Sequence, residues 1–143
     1  MTLLYFDASA LVKLLVEEAG SDLAAELWDG ADAVLSSRLA YPEVRAALAA
    51  AGRKHDLRPA DVAGAERAWE GFWRAVRPVE LTAAIERAAG DLCSRHALRG
   101  ADAVHLASAL AVAGPDLVVA VWDRRLHAGA RAEGLATAPA AVA

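Results

Sequence analysis

The segment Leu3-Leu4-Tyr5-Phe6 has no charged residue on either face, and Leu117-Val118-Val119-Ala120-Val121-Trp122 repeats that character late in the chain. A strand with one wet face alternates polar and apolar residues, so runs this uniformly apolar are expected only where both faces are covered. Ala33–Ser36, Pro78–Leu81 and Leu135–Ala138 read as weaker strands, the last as an edge. Helical spacing fills the intervals between them. Strands alternating with helices predict an α/β fold, a three-layer sandwich with a central, mainly parallel sheet of four to five strands.

The helices carry their own punctuation. Ser9 is expected to cap the first, in which Leu11, Leu14, Leu15 and Glu18 recur at helical intervals. Gly20-Ser21 breaks it, and Ser21 can start a short helix through Trp28. Pro42 stands near the first turn of a helix running to about Lys54, with Val44, Ala47, Leu48 and Ala51 on one face. Pro59 opens another, and Thr82 caps one carrying Ile85, Ala89, Leu92 and His96. The helix after Gly100 stops at Gly114-Pro115, and Arg124–Glu133 is closed by Gly134.

The 143 residues, 57% of them hydrophobic, are read as one domain spanning residues 1–143 with a sizeable core. No apolar stretch reaches membrane-spanning length, and the start lacks a secretory signal, so the expected location is the cytoplasm. The single cysteine, Cys93, excludes an internal disulfide, and no Cys/His spacing resembles a zinc site. A net charge of −4 argues against a nucleic-acid binder at first sight. Two bound divalent cations would cancel it, however, and the 15 basic residues are nearly all arginine, with only Lys13 and Lys54 as lysines. Arginine suits bidentate phosphate contacts, although the bias equally fits genomic base composition.

Asp102 opens the otherwise apolar helix Ala101-Asp102-Ala103-Val104-His105-Leu106-Ala107, and an ion there needs a partner because desolvation costs several kcal/mol. Three other acids share its situation. Asp7 ends the first strand, Asp123 ends the fourth, and Glu43 lies in the first turn of its helix. Ligands of open parallel sheets bind beyond the carboxyl ends of the strands, and a helix N-terminus favours an anion. The four acids can therefore meet at one sheet edge. Bare, they would raise one another's pKa; one or two hard cations such as Mg²⁺ or Mn²⁺, which take oxygen ligands, resolve the conflict and suit phosphodiester hydrolysis. Each acid taken alone also has a plain structural reading: Asp7 as a helix cap, Asp123 as a turn residue, Glu43 as a surface charge.

Ser9 could orient a water or a phosphate, or simply cap its helix. His105, one turn after Asp102, could reach the site, although a hydrogen-bonded packing histidine is the preferred reading. Arg99, Arg124 and Arg125 flank the acids and could hold phosphates or lie solvated. No Ser or Cys is paired with a His, and no glycine-rich phosphate loop is present. A phosphoryl-accepting receiver domain would need a nucleophilic Asp midway along the chain and a partnering Lys. Trp69, Phe72 and Trp73 form an aromatic stripe, read as core or as a groove for a partner's helix.

Four segments in series carry a resemblance: Tyr5-Phe6-Asp7-Ala8-Ser9-Ala10-Leu11, Glu43-Val44-Arg45-Ala46-Ala47-Leu48, Ala101-Asp102-Ala103-Val104-His105-Leu106-Ala107 and Trp122-Asp123-Arg124-Arg125-Leu126. Together they resemble the PIN-domain ribonucleases, specifically the VapC-type toxins of bacterial toxin–antitoxin pairs. The resemblance implies a Mg²⁺- or Mn²⁺-dependent endoribonuclease acting on RNA such as tRNA or rRNA. It implies Asp7, Glu43, Asp102 and Asp123 as the catalytic metal-site acids, with Ser9 in support. It also implies a homodimer, inhibited by a VapB-type antitoxin whose other end binds DNA. Val121 departs from the family pattern, which commonly has Thr or Ser two residues before the last acid; a lost hydroxyl there could weaken water positioning beside Asp123, and the sequence leaves open whether it lowers activity. The alternative is a catalytically degenerate member that acts mainly by binding its antitoxin.

Overall fold

The computed structural model describes residues 1–142. Five strands, β1 (Leu3–Phe6), β2 (Ala33–Ser37), β3 (Val76–Val79), β4 (Leu117–Ala120) and β5 (Ala136–Ala138), form one sheet in the order β3-β2-β1-β4-β5. Every pairing is parallel, with Leu4 opposite both Val34 and Val118. The two wholly apolar runs are thus the central neighbours β1 and β4. Their side chains divide between two separate cores: Leu4 and Phe6 lie on one face, Tyr5 and Val119 on the other.

The face beneath Leu4 and Phe6 is covered by α1 (Ala8–Val12), α2 (Ser21–Gly30), α3 (Ala40–Arg53) and α4 (Pro59–Ala75), through Leu11, Ala24, Val44, Leu48 and Trp69. The opposite face is covered by α5 (Ala83–His96), α6 (Gly100–Ala111) and α7 (Arg124–Ala132), through Ile85, Leu92, Leu106 and Leu126. The expected three-layer sandwich is therefore present, with its sheet parallel throughout. Among the described residues no helix is long and apolar enough to cross a membrane.

Several boundaries differ from expectation for local reasons. The third strand is Val76–Val79 rather than Pro78–Leu81, because Val76 pairs with Val34 and its side chain joins the core, whereas Leu81 is exposed. Pro78 is tolerated since β3 is an edge strand. The first helix ends at Val12, where Leu14 and Leu15 bond back three residues, to Leu11 and Val12, and tighten the chain into turns. Thr82 does cap α5, accepting from Ile85 N at 3.2 Å, and Gly134, at φ 86°, follows the end of α7.

The aromatic stripe on α4 is mostly core. Trp69 is fully buried, Phe72 meets Trp28 edge-on with ring centroids 5.0 Å apart, and Trp73 leans on Trp69 at 5.4 Å. Only Trp73 also lines a surface groove, with Tyr41, Pro42 and Leu81.

Candidate active site

The sheet order reverses between β1, whose successor lies to one side, and β4, on the other side, which marks the crevice where such sheets bind ligands. Asp7 stands directly after β1, and Asp123 three residues after β4. Both have extended backbones and serve as N-caps: Asp7 Oδ1 accepts from Ala10 N at 2.9 Å, and Asp123 Oδ1 accepts from Leu126 N at 2.9 Å. The cap fixes each carboxylate's direction while leaving lone pairs free. Glu43 and Asp102 project from the first turns of α3 and α6. All four carboxylates line a single cavity of about 270 Å³, together with Ser9, Arg99 and His105.

Asp7 is buried, and desolvation pushes its pKa above the ordinary carboxylate value; His105, the Ala10 N–H and Ser9 pull it back, while Asp102 adds a like charge. Asp102 is half-buried and also raised, first by desolvation and then by Asp123, against relief from His105 and Arg99. The four acids therefore feel one another across the cavity, and the site as it stands is short of positive charge.

Glu43 is held differently. His105 Nε2 lies 2.7 Å from Glu43 Oε1, and His105 Nδ1 lies 2.8 Å from the Tyr5 hydroxyl. Burial pushes the Tyr5 phenol far above its ordinary pKa, so it keeps its proton. The edge of the sheet is itself pinned beside Asp7, where Ser36 Oγ donates to the Phe6 carbonyl at 2.6 Å.

The donor set fits a hard divalent cation: oxygen ligands only, net negative, and partly withdrawn from water. Among the described residues no three His, Cys, Asp or Glu side chains are drawn together closely enough to enclose an ion by themselves. A small hard cation held there would keep several of its waters, since such ions dehydrate reluctantly.

The structure thus gathers all four acids predicted from the sequence. Ser9 is not the helix cap; Asp7 is, and Ser9 Oγ instead bonds the Asp7 carboxylate at 2.9 and 3.1 Å. The packing and functional readings of His105 coincide, since it is buried and hydrogen-bonded yet touches Glu43. Arg99 lines the cavity, whereas Arg124 and Arg125 are exposed at the start of α7 and make no ion pair among the described residues. Val121 is fully buried in the core and does not line the cavity. Sequence reasoning missed Tyr5, whose hydroxyl in an apolar strand was the available signal.

A parallel α/β sandwich with a four-carboxylate cavity at its switch point has the architecture of an acidic-site phosphodiesterase. The chain belongs to the PIN-domain family, whose profile matches residues 4–131. Ribonuclease VapC45 of Mycobacterium tuberculosis (strain CDC 1551 / Oshkosh) is 71% identical to it over 140 residues, which cover 98% of this chain and 97% of that protein. Ribonuclease VapC49 of M. tuberculosis (strain ATCC 25618 / H37Rv) matches with the same figures. That likeness puts the chain among the VapC-type ribonucleases. Among solved structures, the sarcin–ricin-loop-cleaving toxin VapC20 of M. tuberculosis aligns with a TM-score of 0.65 at 20% identity, over 92% of this chain and 95% of that one. A toxin–antitoxin complex from Klebsiella pneumoniae aligns with a TM-score of 0.60 at 19% identity, over 90% and 92%. At such identities these two speak for the fold.

Proposed function

We propose that Asp7, Glu43, Asp102 and Asp123 hold one or two Mg²⁺ or Mn²⁺ ions, and that the chain, as one catalytic domain, hydrolyses RNA phosphodiester bonds as the toxin of a toxin–antitoxin pair. The observation that carries this reading is the convergence of four acids, from two strand ends and two helix starts, on one cavity. A divalent cation held there would supply Lewis-acid activation and offset the charge of the phosphate.

The chain's own residues have distinct tasks in this reading. Asp7 and Asp123, which cap their helices, form the rigid wall at the sheet edge, with Ser9 holding Asp7 in register. Asp102, whose carboxylate accepts no hydrogen bond among the described residues, is the acid most open to an ion. Arg99 at the cavity mouth is placed to receive an RNA phosphate, in the bidentate manner that guanidinium favours. The substrate class is structured RNA, tRNA or rRNA, by analogy with the VapC20 toxin. The partner is a VapB-type antitoxin, by analogy with the toxin–antitoxin complex, and DNA contact would come only through that partner. The active form is a homodimer working in the cytoplasm.

The test is cleavage of total RNA by the purified chain. Cleavage should require Mg²⁺ or Mn²⁺, stop on chelation, and disappear in Asp102→Asn. Undiminished metal-dependent cleavage by folded Asp102→Asn would sink the assignment.

A further inference from the structure

The cavity accounts for Glu43 but not for the buried polar chain behind it. His105 is 2% exposed, yet both ring nitrogens are engaged, Nε2 with Glu43 Oε1 at 2.7 Å and Nδ1 with the Tyr5 hydroxyl at 2.8 Å. The Tyr5 and His105 rings stand edge to face, 5.9 Å apart, so the imidazole has little freedom to turn. Tyr5 belongs to the central strand and His105 to α6, 100 residues apart, so this contact spans the core.

A carboxylate can only accept a hydrogen bond, so the nitrogen facing Glu43 must carry a proton. A neutral imidazole then has its lone pair on Nδ1, and that nitrogen accepts from the Tyr5 O–H. The Ser108 hydroxyl, buried in the same place, lies against the phenol oxygen without hydrogen-bond geometry. With the imidazole neutral, one direction of donation satisfies these three groups: Tyr5 donates to His105, and His105 donates to Glu43.

We propose that Tyr5 and His105 are positioning residues that fix the Glu43 carboxylate for the cation, with Tyr5 setting the His105 tautomer and His105 holding one Glu43 oxygen so that the other faces the cavity. This deepens the metal-site reading above and rests on it. The arrangement resembles, in chemistry, the outer hydrogen bonds that orient metal ligands elsewhere, whose loss typically weakens metal binding about 10–100-fold. Here the oriented ligand is the carboxylate and the orienting group is the imidazole.

Two measurements test it, neither depending on turnover. In metal-free ¹⁵N-labelled protein, long-range proton–nitrogen correlations should show His105 with its proton on Nε2; a proton on Nδ1 alone would overturn the proposal. Calorimetric Mn²⁺ titrations should then give a dissociation constant raised roughly tenfold or more in His105→Leu, and restored to within about threefold of wild type in His105→Gln, which keeps a donor near the Nε2 position. Tyr5→Phe, which removes only the hydroxyl, should weaken Mn²⁺ about threefold, as expected if the competent ring orientation falls to about a third of the population. If His105→Leu does not fold, the Gln and Phe variants carry the test: weakening in Tyr5→Phe with near-wild-type binding in His105→Gln supports it, and wild-type binding in Tyr5→Phe overturns it. Glu43→Gln separates the two readings. Unchanged Mn²⁺ binding in Glu43→Gln removes Glu43 from the metal site and this proposal with it; weakened binding there, beside wild-type binding in folded His105→Leu, overturns the positioning role alone.

Discussion

Ser9 Oγ reaches both oxygens of Asp7, 3.1 Å from Oδ1 and 2.9 Å from Oδ2, so one short side chain braces the carboxylate that ends β1. Asp7 Oδ1 is already engaged by the Ala10 N–H, and Ser9 therefore governs how Oδ2 presents itself to the cavity. Ser9→Ala leaves the helix cap intact and removes only this brace. Because Ser9 is exposed, the free energy of unfolding should stay within about 0.5 kcal/mol of wild type. Cleavage of RNA at fixed Mg²⁺ should fall roughly tenfold. A matched loss of stability and activity would show instead that Ser9 matters through folding.

Asp7 itself is costly when no cation is bound. Its pKa is raised by burial, so the folded state binds the proton more tightly than the unfolded state does. Stability from this group is complete below the ordinary value of 3.8 and is lost as pH rises from there through the raised folded pKa. Asp7→Asn keeps a capping oxygen for Ala10 and removes the charge. Metal-free Asp7→Asn should accordingly melt a few degrees above metal-free wild type at neutral pH, with the gap closing as the pH is lowered, while RNA cleavage is lost. Urea melts of both proteins across an acidic-to-neutral series give the difference, in which the contributions of groups remote from the cavity cancel.

The same energetic logic explains what could be read in advance. Three of the four acids were legible because a carboxylate at the end of an apolar strand or in an apolar helix needs compensation, visible in Asp7, Asp102 and Asp123 as residue types; Glu43 was legible from its place in the first turn of its helix. The two central strands were legible because Leu3–Phe6 and Leu117–Ala120 leave no polar face. The weaker elements depended on partners. The position of β3 is set by Val76 opposite Val34, a tertiary pairing that local propensity does not encode. Which of Asp7 and Ser9 caps α1 turned on a backbone dihedral, since both residue types cap well. The Tyr5–His105–Glu43 chain joins three elements distant in sequence, and no spacing rule reaches across them.

A cation bound by these acids must stabilise the fold by mass action, since the unfolded chain does not gather them. At a free Mn²⁺ concentration a hundred times its dissociation constant, the gain should be about 2.7 kcal/mol, readable as a rise in melting temperature. Asp102→Asn, which removes the half-buried acid whose pKa is raised first by desolvation and then by Asp123, should abolish most of that rise. NaCl at matched ionic strength serves as a control for screening, because general ionic effects would shift wild type and variant alike. Equal Mn²⁺-induced shifts in both proteins would place the binding somewhere other than this cavity.

Val121 occupies the position where the family commonly carries a hydroxyl, two residues before Asp123. Its side chain is fully buried in the core with Tyr5, Ala103 and Leu126, and its backbone N–H is satisfied by the Ala138 carbonyl at 3.0 Å. Restoring the hydroxyl in Val121→Thr exchanges a methyl in an apolar setting for a group that needs a partner, so the swap is not neutral in packing. The expected cost is about 1–2 kcal/mol in chemical denaturation. Because Val121 does not line the acidic cavity, cleavage by Val121→Thr should stay within about threefold of wild type, a factor equivalent to under 1 kcal/mol in the barrier. A tenfold gain in cleavage would mean that a hydroxyl there reaches the carboxylates after all, and that this chain works with a site weakened at that position.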